Sequence, residues 1–347
     1  MAGATSTSWL HSAKTSVPSL VSALPRKQCT SSFRKSVSVV RAEQKDSNLS
    51  TAESEAETPA PAPSPASETT VNSDFKGGPF TVRSDMIGAV LGGSLNVPFR
   101  LGSGALVKGY KVENKPAAEV GDDKYAIPFA GRKFVEVANP GPRPEKPIEI
   151  YEFEGCPFCR KVREIVSILD IDVIFYPCPK NGPNFRPKAN EMGGKKQFPY
   201  MVDPNTNVAM YESDDIIKYL VEKYGDGQVP IMLNLGALTT ITAGLALIGR
   251  AGKGSTYVPA KLPEKPLVLW AYESSPFCKI AREALCELEI PHVYRSCARG
   301  SAKRDLLKQK TGKFQVPYLE DPNTGAAMFE SHDIVEYVRK TYALAQN

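Results

Sequence analysis

Residues 148–153 read Ile-Glu-Ile-Tyr-Glu-Phe, an apolar run that predicts a strand. From 157 to 170 the apolar positions take up helical spacing, with Pro157 at the first helical position. Residues 173–176 form a second, wholly apolar strand, and 187–192 a weak helix. Residues 200–202 and 208–211 predict a strand pair around the turn Asp203-Pro204-Asn205-Thr206. A last helix follows, capped by Ser213, with Ile216, Ile217 and Leu220 on its apolar face. The predicted order is βαβ, then a helix, then ββα.

This unit occurs twice. Pro144-Glu145-Lys146-Pro147 returns as Pro263-Glu264-Lys265-Pro266 at an offset of 119, and so does Cys178 as Cys297. Pro157-Phe158-Cys159 returns as Pro276-Phe277-Cys278 at the same offset. After a one-residue deletion the offset is 118, and Asp203-Pro204-Asn205-Thr206 and Glu212-Ser213 return as Asp321-Pro322-Asn323-Thr324 and Glu330-Ser331. So many matches in register indicate duplication. The domains are expected at 147–226 and 266–343.

Composition separates the rest. Residues 1–42 hold ten serines, six Lys or Arg and no acid, the composition of an organelle transit peptide. Val40-Arg41-Ala42 resembles a stromal processing site, so a chloroplast location is expected. Without this segment the net charge falls from +5 to about −1, and a nucleic-acid partner has no support. Residues 43–73 are acidic and rich in Pro, Ala, Ser and Thr, the pattern of a disordered linker. Residues 74–146 are expected to be irregular and Gly/Pro-rich, with an apolar helix within 86–107. The inter-domain segment 227–265 contains 19 uncharged residues, 231–249. It is long enough to cross a bilayer, but three Thr, three Gly and Asn234 favour a helix that packs on the modules or lies at a membrane surface.

The chemistry concentrates at Cys156-Pro157-Phe158-Cys159, between a strand and a helix. The orphan N–H groups of a helix N-terminus favour a thiolate at Cys156, and Cys159, one turn on, can resolve a mixed disulfide. A buried structural pair is the alternative. Glu154, two residues upstream, would raise the thiol pKa. The second copy reads Ser275-Pro276-Phe277-Cys278, and a serine hydroxyl does not replace a thiolate at neutral pH. Cys178 and Cys297 read as packing residues, His292 and His332 as surface or packing groups. No metal site is expected.

The Cys-Pro-Phe-Cys tetrad, the proline before the third strand and the Glu-Ser before the last helix resemble the thioredoxin fold. Within it they resemble glutaredoxins and the N-terminal domain of glutathione S-transferases. The resemblance implies an α/β chain of two tandem thioredoxin-like domains, and cis peptide bonds at Pro199 and Pro317. It implies glutathione as ligand or co-substrate. The backbone at Phe198 and Pro199 would pair with its peptide, Glu212 with its ammonium, and Ser213 with the γ-glutamyl carboxylate. Arg160, Lys195, Lys196 and Gln197 are candidates for its glycine carboxylate. Val316, Pro317, Glu330 and Ser331 are the second-module equivalents, with Ser275 and Cys278 in place of the thiol pair. A transferase's helical second domain is not expected in the residues between and after the two copies.

Two functions follow. The first is a glutathione-dependent thiol–disulfide oxidoreductase or transferase-like enzyme, with Cys156 as nucleophile and Cys159 resolving, acting on a thiol or disulfide protein or a small electrophile. The second is a non-catalytic module that holds glutathione or a partner, with peripheral membrane contact through 231–249.

Overall fold

The computed structural model describes residues 82–345, so the transit-peptide and linker expectations lie outside the described residues. Two short helices, α1 (Ile87–Gly93) and α2 (Asn96–Arg100), come first. Next is a three-stranded antiparallel sheet of β1 (Lys111–Pro116), β2 (Ala126–Phe129) and β3 (Arg132–Val137), in the order β1-β3-β2. Ala130 and Gly131, both at positive φ, make the two-residue turn from β2 to β3. This sheet corrects the expectation of an irregular 74–146. Its alternation is too weak to read, because most of its residues are exposed.

The first module runs β4 (Ile148–Glu152), α3 (Pro157–Leu169), β5 (Val173–Pro177), α4 (Phe185–Gly193), β6 (Tyr200–Asp203), β7 (Val208–Met210) and α5 (Ser213–Tyr224). A connecting helix, α6 (Ala237–Ile248), leads to β8 (Leu267–Ala271), α7 (Pro276–Glu287), β9 (His292–Ser296), α8 (Lys303–Thr311), β10 (Tyr318–Glu320), β11 (Ala327–Phe329) and α9 (Ser331–Tyr342). The order βαβ-α-ββα therefore appears twice.

The repeated motifs hold each other. Asp203 accepts from the Asn205 backbone N–H at 2.9 Å and from the Tyr219 and Tyr224 hydroxyls at 2.6 Å. Burial works against its charge, but these donors keep its pKa below the ordinary carboxylate value. Asn205 bonds the backbone of Lys146 through both side-chain atoms at 2.8 Å. Asp321, Asn323 and Lys265 repeat the arrangement, with Tyr337 and Tyr342 as the hydroxyl donors. The Asp-Pro-Asn-Thr turn thus pins the segment that enters the central strand.

The modules share one eight-stranded sheet, ordered β11-β10-β8-β9-β5-β4-β6-β7. The join is an antiparallel pairing of β5 with β9, with Ile174 opposite Val293 at its centre. Those two residues are equivalent in the repeat, so a local two-fold axis passes between them. Around it lies a buried charge network. Glu154 of the first module meets Lys279 at 2.9 Å and Arg282 at 3.1 Å on α7. Its equivalent Glu273 meets Arg163 at 3.0 Å and Arg160 at 3.4 Å on α3. These six residues are each at most 3% exposed. Charges so far from water persist only when paired.

The duplication reaches further upstream than the first reading. Residues 100–104 (Arg-Leu-Gly-Ser-Gly) and 250–254 (Arg-Ala-Gly-Lys-Gly) occupy equivalent places at an offset of 150. Arg100 pairs with Glu164 at 2.6 Å, and Arg250 with Glu283 at 2.7 Å. Gly104 (φ +84°) and Gly254 (φ +73°) lie where an added Cβ would meet the Glu273 side chain at 3.1 Å and the Glu154 side chain at 2.6 Å. The 31-residue difference in offset corresponds to the β1–β3 insertion. Each leader crosses over: α1 packs on α7, and α6 packs on α3. Among the described residues no helix is long and apolar enough to cross a membrane.

His292, at the join, is buried, with Nδ1 3.1 Å from the Ile290 carbonyl. Burial holds its pKa down to about 4. An unfolded histidine takes up its proton below about pH 6.5, the folded one only near 4. Stability from the neutral ring is therefore complete above about 6.5 and is lost as pH falls toward 4, up to about 3 kcal/mol. In His292→Val, the residue found at equivalent Val173, the difference between unfolding free energies at pH 7 and pH 4.5 should shrink accordingly. An unchanged difference would refute the assignment.

Candidate active site

Cys156 occupies the N-cap of α3, and its Sγ accepts the backbone N–H of Cys159 at 3.2 Å. The hydrogen bond from the Cys159 thiol, with that backbone N–H and Arg163, outweighs burial and Glu152 and lowers the Cys156 pKa. Cys159 moves the opposite way, pushed well up by burial and by the neighbouring thiol. One thiol is thus poised to lose its proton and its neighbour to keep it.

The surroundings of the thiol differ from what the motif alone suggests. Cys156 is not an exposed thiol but only 4% accessible. It packs with Tyr151, Phe198 and Tyr200, and Phe153 flanks the same cluster. The Arg186 guanidinium lies 4.6 Å from the Phe198 ring centre and 5.5 Å from that of Phe153. Nor does Glu154 oppose the thiolate. Burial works to raise its pKa, but Arg163, Arg282 and Lys279 hold it well below the ordinary value, and its charge is spent across the module join. The carboxylate that matters is Glu152, which the sequence reading passed over. Burial pushes it up to about 7 against the pull of Arg163, and its charge raises the Cys156 pKa. The second module has Ala271 at this place, an asymmetry visible in the aligned repeats.

The Phe198–Pro199 and Val316–Pro317 peptide bonds are both cis. Glu212 has φ +67° and Glu330 φ +66°, the left-handed region that non-glycine residues adopt at local cost. Gln197 Nε2 donates to the Glu212 carboxylate at 2.7 Å, and Gln315 repeats the contact with Glu330. Ser213 is the first helical residue of α5 rather than its cap, and no side-chain hydrogen bond caps that helix. Lys195 and Lys196 are exposed. Arg160 is 1% exposed and bonded to Glu164 at 3.1 Å, which removes it as a carboxylate ligand.

In the second module Ser275 Oγ accepts the Cys278 N–H at 3.2 Å, so the cap survives without the thiol. Cys278 is fully buried, and burial raises its pKa. The β1–β3 sheet also closes over this module. Tyr125 lies 4.8 Å from Phe314, ring centre to ring centre, and the Arg304 guanidinium sits 5.2 Å from Tyr125. Glu136 of β3 pairs with Arg304 at 3.1 Å. Arg304 is the equivalent of Arg186, so the insertion occupies the aromatic flank that the first module leaves uncovered by such a sheet. Cys178 and Cys297 are buried at the ends of β5 and β9. Among the described residues no group of His, Cys, Asp or Glu is arranged to hold a metal.

Two stretches, 150–228 and 269–346, match the family model of the glutathione S-transferase N-terminal domain, and the chain carries it in tandem. Among solved structures, a Bombyx mori glutathione transferase, BmGSTD1, is 29% identical over 24% of this chain and 38% of its own, with a TM-score of 0.22. The Leishmania protein TDR1, a trimeric glutathione transferase, is 14% identical over 58% of this chain and 68% of its own, with a TM-score of 0.21. The chain thus spans well under half of the Bombyx structure. No curated protein matches it.

Proposed function

We propose that this chain, with its two glutathione S-transferase N-terminal domains, is a glutathione-dependent thiol–disulfide oxidoreductase of the chloroplast, with about 42 residues removed on import. The observation that carries the reading is the place of Cys156 at the N-cap of α3, where its Sγ accepts the Cys159 N–H at 3.2 Å; the Cys159 thiol and this N–H lower its pKa, while burial raises that of Cys159 one turn on. The Cys156 thiolate attacks one sulfur of a substrate disulfide and expels the other as a thiol. Cys159, giving up its proton, attacks Cys156 Sγ and releases the bound half. Two glutathione molecules then reduce the Cys156–Cys159 disulfide and leave as glutathione disulfide, so two electrons pass from glutathione to substrate. Phe198, Pro199, Glu212 and Ser213 would hold the glutathione. The test is exchange between glutathione and a small disulfide, catalysed by residues 43–347.

A second reading is a non-catalytic glutathione-binding module, favoured by the 4% accessibility of Cys156. Alkylation separates the two. Cys156 should react with iodoacetamide faster than the other five described cysteines near neutral pH, with an inflection below the ordinary thiol range. Equal labelling of Cys156 and Cys178 would remove the enzymatic reading.

A further inference from the structure

The two crossed leaders build a surface that the thiol chemistry does not use. On α6 the small residues point inward and the large ones outward. Thr239, Ala243 and Ala246 are buried against the protein, while Leu238, Ile241 and Ile248 are 52%, 58% and 66% exposed. The spacing of three and seven residues places these three on one helical face. On α1 and α2 the buried residues are Gly93, Asn96 and Arg100, while Leu91, Val97 and the C-cap residue Leu101 stand at 65%, 60% and 77% exposure.

The leaders are tied into one platform. Gly92 and Gly249 approach too closely to admit a Cβ on either. Arg250 Nη1 donates to the Ala89 carbonyl at 3.1 Å, and Arg100 to the Met232 carbonyl at 2.9 Å and the Thr242 hydroxyl at 2.8 Å. The large aliphatics are therefore held on a rigid support that covers the buried charge network from outside.

We propose that this platform docks on the surface of a lipid bilayer with anionic headgroups, its aliphatic side chains entering the interface while the helices lie in its plane. Three observations choose a lipid surface over a protein. The exposed side chains are Leu, Ile and Val, without the exposed Trp, Tyr or Arg that anchor protein partners. Residues 86–107 and 231–254 contain no carboxylate, in a chain that is 23% charged. At the rim the exposed Lys253 complements an anionic surface, while Arg250 beside it is already paired with Glu283. The 12 residues of α6 are too few to span, so contact is one-sided and both modules remain in one compartment.

Flotation with lipid vesicles tests this on the full chain. The protein should rise with phosphatidylcholine vesicles containing phosphatidylglycerol. The double variant Ile241→Glu, Ile248→Glu should lower the bound-to-free ratio at least about tenfold. Both positions are exposed, so unfolding temperature and thiol exchange should stay at the wild-type level. Failure of the wild type to float, or flotation unaltered by the double variant, would overturn the proposal. So would a chain that leaves vesicles alone but sediments as a dimer which the double variant renders monomeric, since the face would then belong to a second copy.

Discussion

Cys156→Ser is expected to reduce glutathione–disulfide exchange at least about a hundredfold, to the rate of free glutathione, while Cys278→Ser leaves most of it. The two substitutions fall on the same helical turn of the two modules, but on groups of different character. Cys156 is the capping thiol with the lowered pKa. Cys278 lies inside the helix, fully buried and raised by burial. In the second module the capping position already holds Ser275, so Cys156→Ser turns the first cap into a copy of the second. Serine keeps the acceptor for the Cys159 N–H, and the fold should hold. Activity should vanish at unchanged unfolding temperature. Comparable loss from Cys278→Ser would show that the second module takes part in the chemistry.

The largest effect on stability is expected at Arg163. Its guanidinium meets Glu273 at 3.0 Å, Glu154 at 3.4 Å and Glu152, all out of reach of water. Truncation to alanine leaves three buried carboxylates short of a cation. Breaking such pairs costs about 3–5 kcal/mol, which for a chain of this size lowers Tm by roughly 6–15 °C. Lys218→Ala is the control. Lys218 reaches Asp215 at 3.5 Å across exposed surface, and water already screens that pair, so no measurable change is expected. Calorimetry on both variants decides. An Arg163→Ala variant that melts with the wild type would mean that the network contributes little.

Most of each module could be read from the chain because its signals are local. Strand β4 and helix α3 announce themselves through apolar spacing and Pro157, and the tetrad between them locates the thiols. What escaped depends on distant partners. Glu154 is two residues from Cys156 in sequence, but residues entering a helix from a strand point in different directions. Its carboxylate faces the other module. Arg160 carries a charge that on a lone helix would mark the solvent side. Here that side is a join, and the repetition of Arg163-Glu164 as Arg282-Glu283 was the available sign. The leaders were missed because an inserted sheet shifts their register. The pairing of β5 with β9 has no sequence signal, since both are short apolar strands that suit any buried edge.

That pairing changes the concentration dependence of the fold. Two separate copies joined along the same edge would fall apart on dilution, because their association is bimolecular. Covalent linkage makes it intramolecular, at an effective concentration fixed by the connection between α5 and β8. The join should therefore survive at any protein concentration, and the edges that the eight-stranded sheet leaves for unrelated chains are β7 and β11, each only three residues long. Linkage also frees the halves from being identical. A self-associating single module would carry every substitution on both sides of its axis. In one chain, Cys156 and Ser275 can occupy the two equivalent caps, and Glu152 and Ala271 the two equivalent strand ends. One half can specialise while its neighbour supplies Glu273, Lys279 and Arg282.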